Sequence, residues 1–230
     1  MFVRTVAGAV LALACAARAN ASTIVIVPGT SNPWLAGMPN GTTALIGDVA
    51  PAQSPVEVAV TAGDVLWFFA TGATDHCPSF GCGAAGAEGD AAEGPWSHLG
   101  GAEHGIGDVI APIDGLLGVF LGSGQPDLDP APGFLDFSSA ASRDFVTLAP
   151  LLKQPFFIGD GFRNDGVTPQ NFVVPFGATR LFLGPMDGYE WNNNSGSLAV
   201  TVSIVPEPAT LTLVGLGLAG AIRRRRAIAK

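Results

Sequence analysis

The stretch 197-SLAVTVSIV-205 decides the fold class. Leu198, Val200, Val202 and Ile204 fall on one side of an extended chain, and Ser197, Ala199, Thr201 and Ser203 on the other. A strict period of two marks a strand with one face in a core and one toward solvent. Six further runs carry the same β signal: 23–27 (TIVIV), 56–60 (VEVAV), 65–71 (VLWFFAT), 115–122 (GLLGVFLG), 155–159 (PFFIG) and 179–184 (TRLFLG). Thr61-Ala62-Gly63-Asp64 is turn chemistry, so 56–60 and 65–71 read as a hairpin or as sequential strands. The 31 glycines and 18 prolines punctuate the connections, and no strong helical pattern lies between residues 22 and 205. Short strands with regular turn signals predict an all-β fold, a jelly-roll-like β-sandwich. Residues 72–107 and 123–150 are weakly patterned and are expected to be long loops.

In front of the strongest strand stands 191-WNNNSGS-197. Asp187, Glu190 and Asn192 to Asn194 place five side-chain oxygen donors within eight residues. Calcium is a hard cation that takes six to eight oxygens from carboxylates, amides and backbone, and Asn supplies one without adding charge. Gly188 and Gly196 let the backbone fold tightly there. The plainer alternative is a turn, because Asn tolerates left-handed conformations.

The ends of the chain decide the compartment. Arg4, the apolar run from Val6 to Ala17, and the small residues of Ala19-Asn20-Ala21 follow one another in the order of a secretory signal peptide, with cleavage expected before Ser22. A lipoprotein signal at Cys15 is a lesser alternative, since Ala12 stands where a large aliphatic is usual. At the other end, Pro206-Glu207-Pro208 is followed by an uncharged apolar stretch, Ala209 to Ile222, and then by Arg223, Arg224, Arg225 and Arg226. The stretch is roughly 21 Å long as a helix, short against a hydrocarbon core of about 30 Å. It reads as a short transmembrane helix with the arginines on the cytoplasmic side. This tripartite tail resembles the PEP-CTERM sorting signal of Gram-negative bacteria. The resemblance implies export, transient retention in the inner membrane, processing near the PEP motif by an exosortase, and association with the exopolysaccharide or biofilm matrix at the cell surface. A permanent single-span anchor is the alternative. The expected organisation is a signal peptide at 1–21, an ectodomain at 22–205 and a sorting segment at 206–230. The stretch 28-PGTSNPWLAGMPNGTT-43 also resembles the start of other PEP-CTERM proteins.

Between residues 22 and 205 four basic side chains (Arg143, Lys153, Arg163, Arg180) face eighteen acids, a charge near −14. Such a surface excludes nucleic acid bound through its phosphates. It suits calcium, neutral sugars or simple solubility. About 185 residues suffice for one domain with a real core. Cys77 and Cys82, in HCPSFGC, are most simply a disulfide in an oxidising compartment. Zinc, held with His76, His98 and His104, is the competing idea, and the spacing matches no standard site.

The run 181-LFLGPMDGYEWNNNSGSLAVTV-202, with TAGDVLWFFATG, GLLGVFLGSGQP and PFFIG upstream, resembles the PA-IL-like galactose-binding lectin family in patches from about residue 56 to 204. The resemblance implies a calcium held by Asp187, Asn193 and Asn194, with a loop carbonyl at Glu190, and a galactose ring whose hydroxyls reach the ion. It also implies a sugar-gripping histidine from an upstream loop, for which His98 and His104 are the candidates. The loop between Asp187 and the Asn pair is one residue shorter than the family's, so Asn192 is an alternative ligand. Trp34 reads as a core plug rather than as a sugar-stacking platform.

No G-x-S-x-G or H-E-x-x-H motif is present. The acids Asp127, Asp129, Asp136, Asp160 and Asp165 give pairs that spacing alone cannot interpret, and the expectation is a protein that is not an enzyme. A calcium- and sugar-binding surface protein, a purely structural matrix protein and, as an outsider, a carbohydrate-active enzyme are the three readings that stand.

Overall fold

The computed structural model describes residues 22–205, and Ser22–Val205 form one compact unit. The expected signal peptide, PEP motif, apolar segment and arginines lie outside the described residues. Among the described residues no helix is long and apolar enough to cross a membrane.

The chain is mostly β. In order it forms β1 (Ser22–Pro28), β2 (Val56–Ala59), β3 (Val65–Asp75), β4 (Pro95–Ser97), β5 (Val109–Pro112), β6 (Leu116–Leu121), β7 (Leu135–Asp136), a single helical turn α1 (Ala140–Arg143), β8 (Thr147–Leu148), β9 (Phe156–Phe157), β10 (Asn171–Val173), β11 (Arg180–Pro185) and β12 (Ser195–Ile204). One sheet has the strand order β1-β12-β3-β10-β8, a second has β2-β11-β6-β9, and a small third has β4-β5-β7. The alternation holds as far as Val202: Leu198, Val200 and Val202 are buried and Ala199 and Thr201 are not, while at the end of the strand Ser203 is buried as well and Ile204 is only half-buried. β12 is the spine of the larger sheet, paired antiparallel with β1 on one side and β3 on the other.

Aromatic rings join the two larger sheets in one core. Phe68 of β3 meets Phe172 of β10 edge-on at 5.0 Å, Phe172 meets Phe156 of β9 at 5.5 Å, and Phe156 stacks on Phe120 of β6 at 4.9 Å. Such ring pairs add about 0.5–1.5 kcal/mol each beyond the area they bury. Gly118 in β6 is what lets the Phe156 ring lie flat on the strand, since a Cβ there would stand 2.6 Å from it.

Of the two readings of 56–60 and 65–71, sequential strands hold and the hairpin does not, and the expectation of long loops is corrected in part. β2 and β3 do not form a hairpin: β2 pairs with β11, and β3 lies between β12 and β10 in the other sheet. Both strands have an inward apolar face, so the turn at Gly63-Asp64 carries the chain across the core instead of back along one sheet. The weakly patterned stretches are not wholly loop. β3 runs on to Asp75 because the start of β12 pairs with it (Gly196 opposite Thr74, Ser195 opposite Asp75), and β4, β7, α1 and β8 fall in the rest. Trp34 is fully buried, and its indole N–H donates to the Gly107 carbonyl at 3.1 Å, so it is a core plug.

Candidate functional site

The turn between β11 and β12 is held from a distance. Its residues Trp191–Asn193 make one turn of 3-10 helix, entered through Glu190 in the left-handed region at φ +63°. The exposed N–H groups that open any helix need acceptors. Here the Asp48 carboxylate supplies them, accepting from the N–H of Trp191 at 3.2 Å and of Asn192 at 2.8 Å. Asp48 also accepts from the Asn32 amide at 2.9 Å and is fully buried. Burial raises its pKa, while the Asn32 side chain and the two backbone donors work against that rise. Trp191 is itself buried, donating its indole N–H to the Pro185 carbonyl at 3.0 Å and lying 5.5 Å from Trp34.

The three asparagines have three different tasks. The Asn192 side chain donates to the Gly47 carbonyl at 3.1 Å and ties the turn to the 40s segment. Asn193 is exposed, and its amide nitrogen donates to the Glu190 carboxylate at 3.3 Å. Asn194 is buried, and its amide nitrogen donates to the Gly29 carbonyl at 3.2 Å. Gly29 has no Cβ, and one there would collide with the Ser195 carbonyl, so only glycine brings that carbonyl close enough. With the nitrogen spent on Gly29, the oxygen of Asn194 points elsewhere, buried and without a donor.

Asp187 lies beside it. One carboxylate oxygen accepts the Gly188 N–H at 2.6 Å and, more weakly, the Tyr189 N–H at 3.4 Å. The other is buried without a donor. Burial pushes the Asp187 carboxyl up to about 6, against the pull of the Asn194 side chain, the two backbone N–H groups and the charge of His76. Next to this corner, Asp114 is fully buried at φ +64°. Its N–H donates to the Met186 carbonyl at 2.8 Å, and one of its carboxylate oxygens pairs with His76 Nδ1 at 2.7 Å. Its other oxygen also lacks a donor. Unpaired buried acceptors are costly, and a set of them around one corner is what a hard cation satisfies.

Of the predicted histidines, His98 lines a groove beside Gly188 and lies 5.8 Å from the Trp191 ring. His98 is buried, stacked on Trp34 at 4.1 Å between ring centres, with Nδ1 at 2.8 Å from the Gly101 carbonyl. Its burial lowers its pKa, so the neutral imidazole is favoured there. His104 reaches the Thr43 carbonyl with Nε2 at 3.0 Å. Both imidazoles therefore serve the packing of the 32–45 segment. Cys77 and Cys82 form a disulfide, which leaves neither thiolate for zinc, and His76 alone of the three histidines lies against it, 3.1 Å from the Cys77 sulfur.

A groove of about 320 Å³ adjoins Asp187, lined by Trp96, His98, Leu99, Gly188 and Tyr189 among others. Gly188 makes room for it, because a Cβ would stand 3.0 Å from the Trp96 ring. The Trp96 and Tyr189 rings are both partly exposed. Sequence reasoning did not single out Asp48, Asp114, Trp96 or Tyr189. Asp48 is 143 residues from the N–H it caps, and no local pattern carries such a pairing.

Residues 205–226 match the PEP-CTERM protein-sorting motif. The expected Pro206, Glu207, Pro208 and the four arginines all fall within the matched span. The PEP-CTERM motif supports export and exosortase processing, with membrane-anchored transit in a Gram-negative bacterium. It starts where the fold ends. Val205 is the residue after β12, and its N–H donates to the Val65 carbonyl at 2.8 Å. No curated protein is matched by the chain.

Proposed function

We propose that residues 22–205 are a jelly-roll-like binding module that holds calcium at Asp187 and Asn194 and takes a carbohydrate beside it, carried by an exported, exosortase-sorted protein. The observation that supports this most directly is the pair of buried oxygens on Asp187 and Asn194, both without donors, with the Asn194 amide locked by Gly29 in the orientation that leaves its oxygen free. A cation held between them would satisfy both oxygens. Calcium suits the donor set, being all oxygen and irregular: a carboxylate, amide carbonyls and backbone. Asn193 and Glu190, bonded to each other on the solvent side of the same turn, would add further oxygens. Bound there, calcium would offer open coordination positions to vicinal hydroxyls of a sugar. The groove fits the apolar face of a pyranose ring, with Trp96 and Tyr189 as stacking surfaces. Galactosides and galactose-bearing exopolysaccharide are the first ligands to test, on the resemblance described above. In this reading the protein works by binding rather than catalysis, at the cell surface or in the extracellular matrix.

One observation favours a second reading, a structural matrix domain with no ligand. With its carboxyl raised to about 6, Asp187 can hold a proton in mildly acidic medium and donate it to Asn194, closing the corner without an ion. The two readings separate in a melt of residues 22–205 in millimolar calcium and in excess chelator. A ligand at a hundredfold excess over its Kd stabilises the fold by about 2.7 kcal/mol, or several degrees in Tm. The binding reading expects a calcium-dependent rise that disappears in Asn194→Ala, followed by calcium-dependent retention on immobilised galactose. Identical melts with calcium and chelator at neutral pH would leave the structural reading.

A further inference from the structure

The outward face of the larger sheet has an unusual composition for this protein. Across β1, β12 and β3 its rows are Ser22, Ser203 and Trp67; Ile24, Thr201 and Phe69; Ile26, Ala199 and Thr71; and Pro28, Ser197 and Ala73. None of these side chains is charged, on a domain with eighteen acids and four bases. Ile24 is 70% exposed, Ile26 57% and Phe69 45%. The patch runs to the edge of the sheet, and that edge is β1 itself.

β1 is an open edge among the described residues. The Gly29 N–H, just past β1, donates to the Gly196 carbonyl, in register with the β1–β12 pairs. Backbone groups alternate sides along an antiparallel strand, so Thr23, Val25 and Val27 turn theirs to β12. Ser22, Ile24 and Ile26 turn theirs outward. Edge strands are normally blunted by charge, an internal proline or a bulge. β1 has no charged side chain and no bulge, and its one proline is its last residue.

We propose that β1 is the seam of a two-fold homodimer, in which β1 pairs antiparallel with β1 of a second copy about an axis at Val25. That axis sets Ile24 of one copy opposite Ile26 of the other, twice. The outward N–H and C=O groups of these residues then meet each other, and the four isoleucines cover one another on the exposed side. A two-fold interface must be complementary to itself. An uncharged β-branched strand is so, whereas acid-bearing faces of a domain near −14 repel a second copy. The dimer joins two five-stranded sheets into one of ten strands and doubles every site the domain carries.

The test is sedimentation and light scattering of residues 22–205, the compact unit, from micromolar to submillimolar concentration, beside the doubly substituted Ile24→Lys/Ile26→Lys. Both positions are solvent-exposed, so the variant should keep its circular dichroism and lose little Tm. The expected result is a mass that doubles with concentration in the native sequence and stays at one copy in the variant. Hydrogen exchange gives a second readout: the Ile24 and Ile26 amides should be protected in the dimer and exchange fast in the variant. A native domain that stays at one copy throughout, with fast exchange at both amides, overturns the proposal. So does a dimer that the lysine pair leaves intact. A full-length chain protected at these amides while residues 22–205 remain monomeric and unprotected also overturns it, and assigns the edge to a terminal segment of the same chain.

Discussion

Asp48 and Asp187 are both buried carboxylates, one clamping the β11–β12 turn from the 40s segment and the other at its start, and they are opposites. Asp48 has three donors: the Asn32 amide and the N–H groups of Trp191 and Asn192. Asp187 has donors on one oxygen only, and its other oxygen is buried and unpaired. Burial alone does not mark a ligand site. The satisfied carboxylate is a structural clamp, and the one with an unmet acceptor is the candidate for an ion. The asparagines repeat the contrast. Asn192 and Asn194 each donate the amide nitrogen to a glycine carbonyl, but Asn192 is exposed and Asn194 is buried, so only the Asn194 oxygen is cut off from water without a donor.

The comparison breaks most visibly at Asp48. Asp48→Ala leaves two backbone donors and the Asn32 amide without their acceptor, at about 1 kcal/mol or more for each lost bond. A loss of roughly 3 kcal/mol in urea unfolding is expected, with the calcium response weakened because the turn that carries Asn193 and Asn194 loosens. A loss below about 0.5 kcal/mol, the range of an ordinary surface substitution, would show that the clamp is not what holds the turn.

Asp187 should behave in the opposite sense. Its folded pKa lies above its unfolded value, so the folded state binds the proton more tightly, and stability falls as pH rises from about 4 to about 6. From 3.8 to about 6 this amounts to at most about 3 kcal/mol, at 1.36 kcal/mol per pH unit. In chelator, Asp187→Asn should therefore be more stable than the native domain at pH 7, with the difference shrinking toward pH 4. In calcium the native domain should recover that loss while Asp187→Asn gains nothing. Paired melts at the two pH values check the sign, and a native domain that outlasts Asp187→Asn in chelator at pH 7 would contradict it.

The disulfide gives a smaller effect. Replacing Cys77 and Cys82 together by Ser opens a short loop, worth about 2 kcal/mol by chain entropy. Because His76 lies against both Cys77 and Asp114, the calcium midpoint should also move, and a titration of the Ser pair followed by tryptophan fluorescence reads it. Asn192→Ala is the mildest, removing one exposed bond at about 0.5–1 kcal/mol. It should leave the calcium dependence of Tm intact while Asn194→Ala abolishes it. Equal calcium responses in these two variants would erase the distinction between the asparagines.

Much of the fold was legible in advance. Each of the seven expected strand runs contains an observed strand, because each has enough β-branched or aromatic residues to show its period or its bulk. The unread strands, β4, β5, β7, β8 and β10, have two to four residues each. β7 and β8 pair in parallel with distant strands, so nothing local announces them. In the candidate site, Asp187 and Asn194 were legible as oxygen donors packed before a strand. Asp114 and His76 were not, since their pairing crosses 38 residues and forms only when β3 and the β5–β6 loop meet.

The amino-acid sequence by itself determined the exported character of the protein, its β class, the sorting motif and the oxygen-rich turn, because these depend on order and composition within a few neighbouring residues. Only the tertiary structure decided which carboxylate is a clamp and which is left wanting a partner, which histidines pack under Trp34, and which strand is left as an open edge. Those outcomes depend on donors and acceptors brought together from across the chain, and a hydrogen bond is made or missed by a fraction of an ångström that no local pattern encodes.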